Sequence, residues 1–168
     1  VAAIIATYLY GRFARTARGT PSSALPPGDG ETLLDRNVAA LVADRSAANG
    51  LLLLSSSLDA FAARALSGMA AGRSLDLMYY IWHNDLCGRL LARTMLDAAD
   101  RGVRVRLLLD DINTHKGDPV FLAIDSHPNI EIRLFNPTRS RSGFFRRGIE
   151  MALRAFSVTR RMHNKAWI

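Results

Sequence analysis

The chain has 168 residues, of which 49% are hydrophobic and 22% charged, and its formal net charge is +7. This composition is typical of one globular domain with a sizeable core, and it excludes an intrinsically disordered chain. The single cysteine, Cys87, excludes an internal disulfide framework, and the four histidines are too scattered for zinc-ligand spacing.

The first 30 residues differ in composition from the rest of the chain. Residues 1–18 combine an apolar run with three arginines, whereas residues 19–30 (GTPSSALPPGDG) are rich in Pro, Gly and Ser. The apolar run is too short to span a bilayer, which needs about 20 residues. We interpret residues 1–18 as the remnant of a membrane anchor or signal segment, residues 19–30 as a linker and residues 31–168 as a tethered domain. The arginines favour the cytoplasmic side of a membrane.

Short apolar runs alternate with helical periodicity from residue 50 onward. The runs predict strands that begin at Leu51 (LLLLSS), over 75–82, 103–111 and 130–136, and after Asn164. The periodic segments predict helices from Ser57 to a stop at Gly72, between an N-cap at Asn84 and a C-cap at Gly102, over 119–127 and over 144–156. Strands that alternate with helices predict an α/β fold, with a mostly parallel or mixed sheet and helices on both faces.

Polar side chains lie at the carboxyl ends of two of the predicted strands. In sheets of this class, ligands bind beyond the carboxyl ends of the strands. We therefore expect His83 to line a substrate pocket, and we expect Asp110 or Asp111 to line the site or to orient Arg or His partners. The nearby sequence His115-Lys116-Gly117-Asp118 is interpreted as a turn and helix cap.

The positive charge is concentrated at the C-terminal end of the chain. Residues 138–168 contain eight Arg and Lys and one acid, Glu150, so this stretch carries +7 while the remainder is neutral. A cluster of one sign predicts an anionic partner such as phosphate, nucleic acid or acidic lipid. The helix over 144–156 fits two interpretations, an ordinary packed helix or a membrane-surface element for anionic lipid.

The stretch ends in the triplet His163-Asn164-Lys165. If a strand begins at Asn164, the side chains of His163 and Lys165 point the same way. An imidazole beside an ammonium group suits a phosphate, because the ammonium can hold phosphate oxygens while the imidazole attacks phosphorus or moves protons. The triplet is a weak signal by itself.

Three stretches together resemble the phospholipase D superfamily, and within it the cardiolipin synthase branch of bacteria, closest to its C-type members. They are LDLMYYIWHNDLCGRLLARTMLDAADRGVRVRLLLDD, HPNIEIRLFNP and RRMHNKAWI, and the resemblance runs from about residue 50 to residue 168. The active-site motif of the family is His-x-Lys-x4-Asp. His163 and Lys165 match its first two positions, and the Asp would fall five residues after Lys165, beyond Ile168. The resemblance implies the N-terminal half of such a protein, truncated inside its first motif.

The resemblance also implies a mechanism of phosphatidyl transfer between phospholipids. Family members carry two motifs that meet at a pseudo-twofold interface, and one histidine forms a phosphohistidine while the other protonates the leaving alcohol. We expect His163 to be the nucleophile, although its role could be exchanged with its partner, and Lys165 to bind phosphate. We assign substrate binding to the residues Asn164, His83, Asp110 and Arg161.

The partners implied are anionic, phosphatidylglycerol-like membrane phospholipids and a C-terminal half that carries the second motif. No metal or cofactor is expected, nucleic acid is not expected to bind, and the fragment should be inactive alone. The implied location is the bacterial inner membrane. Two alternatives stay open: a phosphodiesterase or nuclease of the same superfamily that uses water as the acceptor, and a non-catalytic module that binds anionic lipid or nucleic acid through its arginines.

Overall fold

A computed structural model describes the chain over residues 1–11, 19–26, 30–43, 50–114, 117–141 and 143–168, together with residue 28. The strands are β1 (Ser74–Tyr79), β2 (Arg104–Asp110), β3 (Ile130–Phe135) and β4 (Ala166–Trp167). The helices are α1 (Ala2–Gly11), α2 (Leu33–Val42), α3 (Ser57–Ala70), α4 (Leu86–Asp100), α5 (Asp118–Asp125), α6 (Phe144–Leu153) and α7 (Ala155–Val158). The arginines noted within residues 12–18 and the pair His115-Lys116 lie outside the described residues.

The strands form one sheet in the order β3-β2-β1-β4. Strands β1, β2 and β3 are parallel, with Leu77 opposite Leu107 and Leu107 opposite Ile132. Helices α4 and α5 provide the crossovers that parallel pairing requires. Strand β4 runs antiparallel to β1, with Trp167 opposite Leu77. The predicted α/β fold with a mixed, mostly parallel sheet is confirmed.

One face of the sheet carries the apolar core. Because side chains alternate along a strand, Leu75 and Leu77 of β1 share a face, as do Val105, Leu107 and Leu109 of β2, and each of these five side chains is at most 2% exposed. The helical residues in the same buried cluster are Met95, Ala98, Ala99 and Ile124. Burial of aliphatic side chains on this scale is the main force that holds the sheet and helices together.

The opposite face of the sheet is polar and is crossed by residues 19–26. The Arg106 guanidinium binds the Asp76 carboxylate and also donates to the Ser22 hydroxyl (3.0 Å), which in turn donates to Glu131 (3.0 Å). Arg104 donates to the backbone oxygen of Ser23 (2.8 Å). A segment with the composition of a linker therefore lies against the sheet in this structure. The division of the chain at residues 18 and 30 stays a prediction.

Two local predictions are wrong. The run that begins at Leu51 is exposed and forms no strand, and Ser56, which follows it, caps α3. A short apolar run does not by itself specify pairing with a sheet. Helix α4 is capped by Asp85 rather than by Asn84, because the Asp85 carboxylate accepts a hydrogen bond from the Gly88 amide (2.8 Å). The prediction that Gly102 ends this helix is confirmed. Gly102 lies just after α4 and has a φ of +89°, in the left-handed region that favours glycine.

The helix predicted over 144–156 is interrupted. Helix α6 ends at Leu153, and Arg154 has a backbone conformation (φ −107°, ψ 17°) that separates it from the short α7. None of the helices in the described ranges has the length and apolar character needed to cross a bilayer.

Candidate active site

His163 and Lys165 lie beside Tyr80, next to the carboxyl end of β1. The antiparallel pairing of β4 with β1 brings the segment that precedes β4 against the residues that follow β1. The rings of His163 and Tyr80 have centroids 4.4 Å apart and are tilted by 40°. The Nζ atom of Lys165 lies 5.7 Å from the Tyr80 ring centroid. Both side chains lie near one aromatic ring. The predicted strand does not begin at Asn164 but at Ala166, so strand alternation does not extend over the triplet.

The triplet is open to solvent. His163, Asn164 and Lys165 are all exposed, whereas Tyr80 is half-buried. Lys165 Nζ donates to the backbone oxygen of His163 (3.0 Å), which keeps the ammonium group close to the imidazole. Within the described part of the chain no side chain hydrogen-bonds to the His163 ring. An accessible imidazole and an adjacent ammonium group can therefore receive a phosphate from the solvent side.

Asp110, at the end of β2, fixes the backbone that leads into His163. Its carboxylate is fully buried and accepts hydrogen bonds from the backbone amides of Ile112 (3.0 Å) and Met162 (2.9 Å). It also forms an ion pair with Arg161, with Nη1 3.2 Å from Oδ1. The structure thus brings two predicted site residues, Asp110 and Arg161, into contact with each other. Their predicted binding of substrate stays a prediction.

Asp111 anchors a second segment. It is 1% exposed, and it accepts hydrogen bonds from the backbone amide and the hydroxyl of Thr138, both at 2.8 Å. Arg141 forms ion pairs with both Asp111 and Asp118. Burial lowers the pKa of Arg141, but the two carboxylates outweigh it and raise the pKa above its ordinary value. The two aspartates at the end of β2 therefore orient arginines, which is one of the two roles expected for them.

A third buried group joins α6 to the end of β3. The carboxylate of Glu150 accepts hydrogen bonds from the amides of Arg139 (2.9 Å) and Ser140 (2.8 Å) and pairs with Arg154 (3.0 Å). Arg154 also donates to Asn136 (2.6 Å). Burial by itself raises the pKa of Glu150, but the two amides and the guanidinium outweigh burial and hold the pKa below its ordinary value.

Asn136 completes the link between β3 and the segment before the triplet. Its backbone has a φ of +50°, in the left-handed region that asparagine tolerates better than most residues. Its amide group donates to the backbone oxygens of Ser157 (2.8 Å) and Arg160 (2.9 Å). The end of β3 and the chain just before His163 are therefore held together.

His83 lies apart from the triplet's contacts. It is exposed in the turn between β1 and α4, and its backbone oxygen lies so close to Gly88 that an added Cβ there would sit 1.9 Å away. Among the described residues, no hydrogen bond, ion pair or ring contact joins His83 to His163. Its predicted role in binding substrate stays a prediction, as does that of Asn164.

Sequence reasoning missed Tyr80. Tyr79 packs edge-on against Trp82 with ring centroids 5.0 Å apart, whereas Tyr80 lies beside His163. Strand alternation carries the missing signal, since adjacent residues point to opposite faces. If Tyr79 is in the core, Tyr80 is not.

No group of three or more His, Cys, Asp or Glu side chains within the described ranges could hold a metal ion.

Comparison with known proteins identifies relatives of part of the chain. It is 50% identical over 118 residues to cardiolipin synthase C of Escherichia coli (strain K12), a match that covers 70% of this chain and 24% of that protein. It is 36% identical over 117 residues to an uncharacterized protein of Helicobacter pylori (strain 26695), covering 70% of this chain and 23% of that one. The chain thus spans about a quarter of the length of these relatives.

Family models and solved structures identify no further relative that supports a conclusion about this chain. No protein-family model matches the chain. Among solved structures, the archaeal chromatin protein TrmBL2 aligns with a TM-score of 0.40 and 15% identity over 62% of this chain and 42% of that one, which is too low a similarity to support any conclusion.

Proposed function

We propose a function from the premise that this chain is a partial phospholipase D-like region, homologous to cardiolipin synthase C of Escherichia coli over 118 residues. The function is phosphatidyl transfer between phospholipids through a phosphohistidine on His163. The homology carries the proposal, and the placement of His163 and Lys165 at one aromatic ring supports it.

In the proposed first step, an imidazole nitrogen of His163 attacks the phosphorus of a phospholipid phosphodiester. A phosphorus–nitrogen bond forms, the bond from phosphorus to the leaving alcohol breaks, and the alcohol oxygen takes a proton from an acid supplied by the second motif. Lys165 binds the non-bridging oxygens, whose negative charge it stabilises as the bond order changes.

In the second step, a hydroxyl group of another phospholipid attacks the phosphohistidine. The phosphorus–nitrogen bond breaks, the new phosphodiester joins the two lipids, and the hydroxyl proton goes to the base left by the first step. Water in place of the lipid hydroxyl would yield a phosphatidic acid, which is the hydrolase alternative. Asn164, His83, Asp110 and Arg161 are proposed to bind the substrate, either directly or through the triplet.

The proposal extends to organisation and location. Residues 31–168 would be the first phospholipase D-like domain, residues 1–18 an anchor or signal segment and residues 19–30 the linker. A second motif outside this sequence would complete the site, in keeping with the quarter of each relative that the chain spans. The protein would be associated with the bacterial inner membrane, on its cytoplasmic face.

The test uses the complete protein that contains this chain, with radiolabelled phosphatidylglycerol as substrate. We expect labelled cardiolipin and a base-stable, acid-labile protein label. Changing His163→Ala should abolish both, with a rate loss of about 10⁴-fold or more, and Lys165→Met should slow transfer by roughly 10² to 10³-fold.

The control is His127→Gln, since His127 contacts Asp100 away from the triplet. Cardiolipin formation that survives His163→Ala would refute the proposal, and phosphatidic acid as the sole product would assign the hydrolase.

A further inference from the structure

Helix α6 presents large apolar residues to solvent and buries its acidic residue, Glu150. Glu150 is 2% exposed and Arg154, which follows the helix, is 1% exposed. Phe145 is 78% exposed and Ile149 is 49% exposed. Phe145 and Ile149 are four residues apart and therefore lie on one face of the helix. This is the reverse of the pattern by which a helix of a soluble domain packs onto its core.

The buried hydrogen bonds of Glu150 fix this orientation. Its carboxylate is bound to the amides of Arg139 and Ser140 and to the Arg154 guanidinium. A rotation of α6 that buried its phenylalanines would expose or break this group, and an unpaired buried charge is strongly unfavourable. The apolar face is therefore held outward by the fold.

The exposed apolar surface of α6 is large, and a second helix with exposed apolar side chains contacts α6. Phe144 is 97% exposed, so the two adjacent phenylalanines leave roughly 300 Å² of aromatic surface in water. Helix α1 packs beside α6 and contributes Ile4 and Leu9, which are 74% and 61% exposed. Adjacent exposed phenylalanines differ from the singly scattered apolar residues of an ordinary surface, and apolar patches of this size are often functional.

The charge around the patch is positive. Arg146 is exposed and Arg147 half-buried, and no carboxylate among the described residues forms an ion pair with either. The acid of this helix, Glu150, is buried and neutralised by Arg154. The surface of α6 therefore combines aromatic and aliphatic side chains with uncompensated arginines, a combination typical of helices that lie in the interface of anionic membranes.

We propose that α6, together with α1, is the surface by which this chain lies on an anionic lipid bilayer. Phe144, Phe145 and Ile149 enter the interfacial region, while Arg146 and Arg147 contact lipid phosphates. The inference deepens the proposed function, on which it rests for the choice of lipid as the occupant.

Two other occupants fit the surface less well. A second copy of the chain would bring the arginines of two α6 helices together without a facing acid. A nucleic acid would pair with the arginines but would leave aliphatic side chains such as Ile149, Ile4 and Leu9 in water.

The experiment is flotation of the chain with lipid vesicles. We expect binding to vesicles of mixed phosphatidylglycerol and phosphatidylcholine, weaker binding to pure phosphatidylcholine, and a decrease as salt is raised. The double change Phe144→Ala/Phe145→Ala should weaken binding about tenfold or more, and Arg146→Gln/Arg147→Gln should do so about tenfold on the anionic vesicles alone. These side chains are on the surface, so circular dichroism should show an unchanged fold.

Matched controls lie elsewhere on the chain. Leu51→Ala/Leu52→Ala removes apolar side chains that are 98% and 85% exposed, and Arg89→Gln/Arg93→Gln removes two exposed arginines of α4. Both controls should bind vesicles as the unchanged chain does. Equal loss in the controls and the α6 variants, or no dependence on anionic lipid, would overturn the inference.

Two further results separate the alternatives. Self-association in analytical ultracentrifugation that the phenylalanine change abolishes, without vesicle binding, would assign the patch to a second copy. Binding to a DNA duplex but to neither vesicle would assign the arginines to nucleic acid. Either result overturns the inference. Vesicle binding requires no reaction at His163, so His163→Ala should leave vesicle binding intact. The inference can therefore fail while the proposed function stands, and the proposed function can fail while the inference stands.

Discussion

At the scale of single residues, the region around the triplet is held by buried carboxylates. Asp110 contacts the amide of Met162, the residue directly before His163, and its partner Arg161 has a side chain that is 11% exposed. The position of the imidazole therefore depends on a residue that lies 53 positions earlier in the chain, through backbone hydrogen bonding rather than through contact with the ring.

We predict that Asp110→Asn lowers the free energy of unfolding of the chain by about 3 kcal/mol, because it leaves the Arg161 guanidinium without its carboxylate in a largely buried place. Urea unfolding monitored by tryptophan fluorescence measures this change. The control is Asp97→Asn, which breaks an exposed ion pair with Arg93 and should cost less than about 1 kcal/mol. Similar losses in both variants would mean that the Asp110 pair contributes no more than a surface pair.

Sequence reasoning reached some of these residues and not others. His163, Lys165, Asp110 and Arg161 were all singled out. His163 and Lys165 match the family motif, Asp110 lies at the end of a predicted strand, and Arg161 belongs to the basic stretch that leads into the triplet. The pairing of Asp110 with Arg161 could not be derived, because it depends on how far the segment after α7 returns toward β2. Tyr80 was within reach of strand alternation, as the packing of Tyr79 against Trp82 implies the opposite face for its neighbour.

At the scale of elements, periodicity predicted the regular parts well. The strands β1, β2 and β3 and the helices α3, α4 and α5 were all predicted, because each has a clear apolar pattern and two of the helices also have a capping or stop residue. The run at Leu51 failed because a short apolar run gives no information about whether a sheet edge is open to it. The orientation of α6 was left open between two interpretations, since the partners that bury Glu150 lie in a loop without periodicity.

The buried Glu150 gives α6 a defined dependence on pH. The pKa of Glu150 in the folded chain is below the unfolded value of about 4.3. Its contribution to stability is therefore fully present above that unfolded value and is lost as the pH falls through the folded pKa. We predict that Glu150→Gln lowers the free energy of unfolding at neutral pH and flattens its decline in acid, in urea titrations at a series of pH values.

The exposed Glu31, whose side chain is 63% accessible, provides the control for this titration. Glu31→Gln leaves the Glu150 group intact and should keep the acid-dependent decline of the unchanged chain. If Glu150→Gln preserved the same slope, another carboxylate would have to be responsible for it.

At the scale of the whole molecule, the order of the strands brings the triplet to the sheet. Strand β4 joins on the side of β1 that β2 leaves open, so the segment before it passes the carboxyl ends of the parallel strands. The sequence predicted the parallel part of this arrangement from alternation of strands and helices. The antiparallel direction of β4 could not be predicted, because it depends on the path of residues 136–165 through irregular and short helical segments.

The motif itself makes a prediction for the complete protein. If His163 and Lys165 belong to a His-x-Lys-x4-Asp motif, the coding sequence should specify Asp at the fifth position after Lys165, and a second such motif in a later α/β half. Sequencing of the complete gene measures this directly. A different residue at that position, or the lack of a second motif, would remove the basis for a catalytic role of His163.

The passage of residues 19–26 over the polar face of the sheet affects how a shortened protein should be designed. The predicted start of the tethered domain at Glu31 invites expression from that residue onward. Such a protein would lose Ser22, Ser23 and Pro26, the partners of Arg106, Arg104 and Arg73. These three guanidinium groups would lose their hydrogen bonds to residues 22–26 and become more accessible to water, although Arg106 keeps its ion pair with Asp76. We expect the shortened protein to bind polyanions more strongly through this surface than the longer chain does. An artificially shortened domain would thus be a misleading probe of affinity for acidic surfaces.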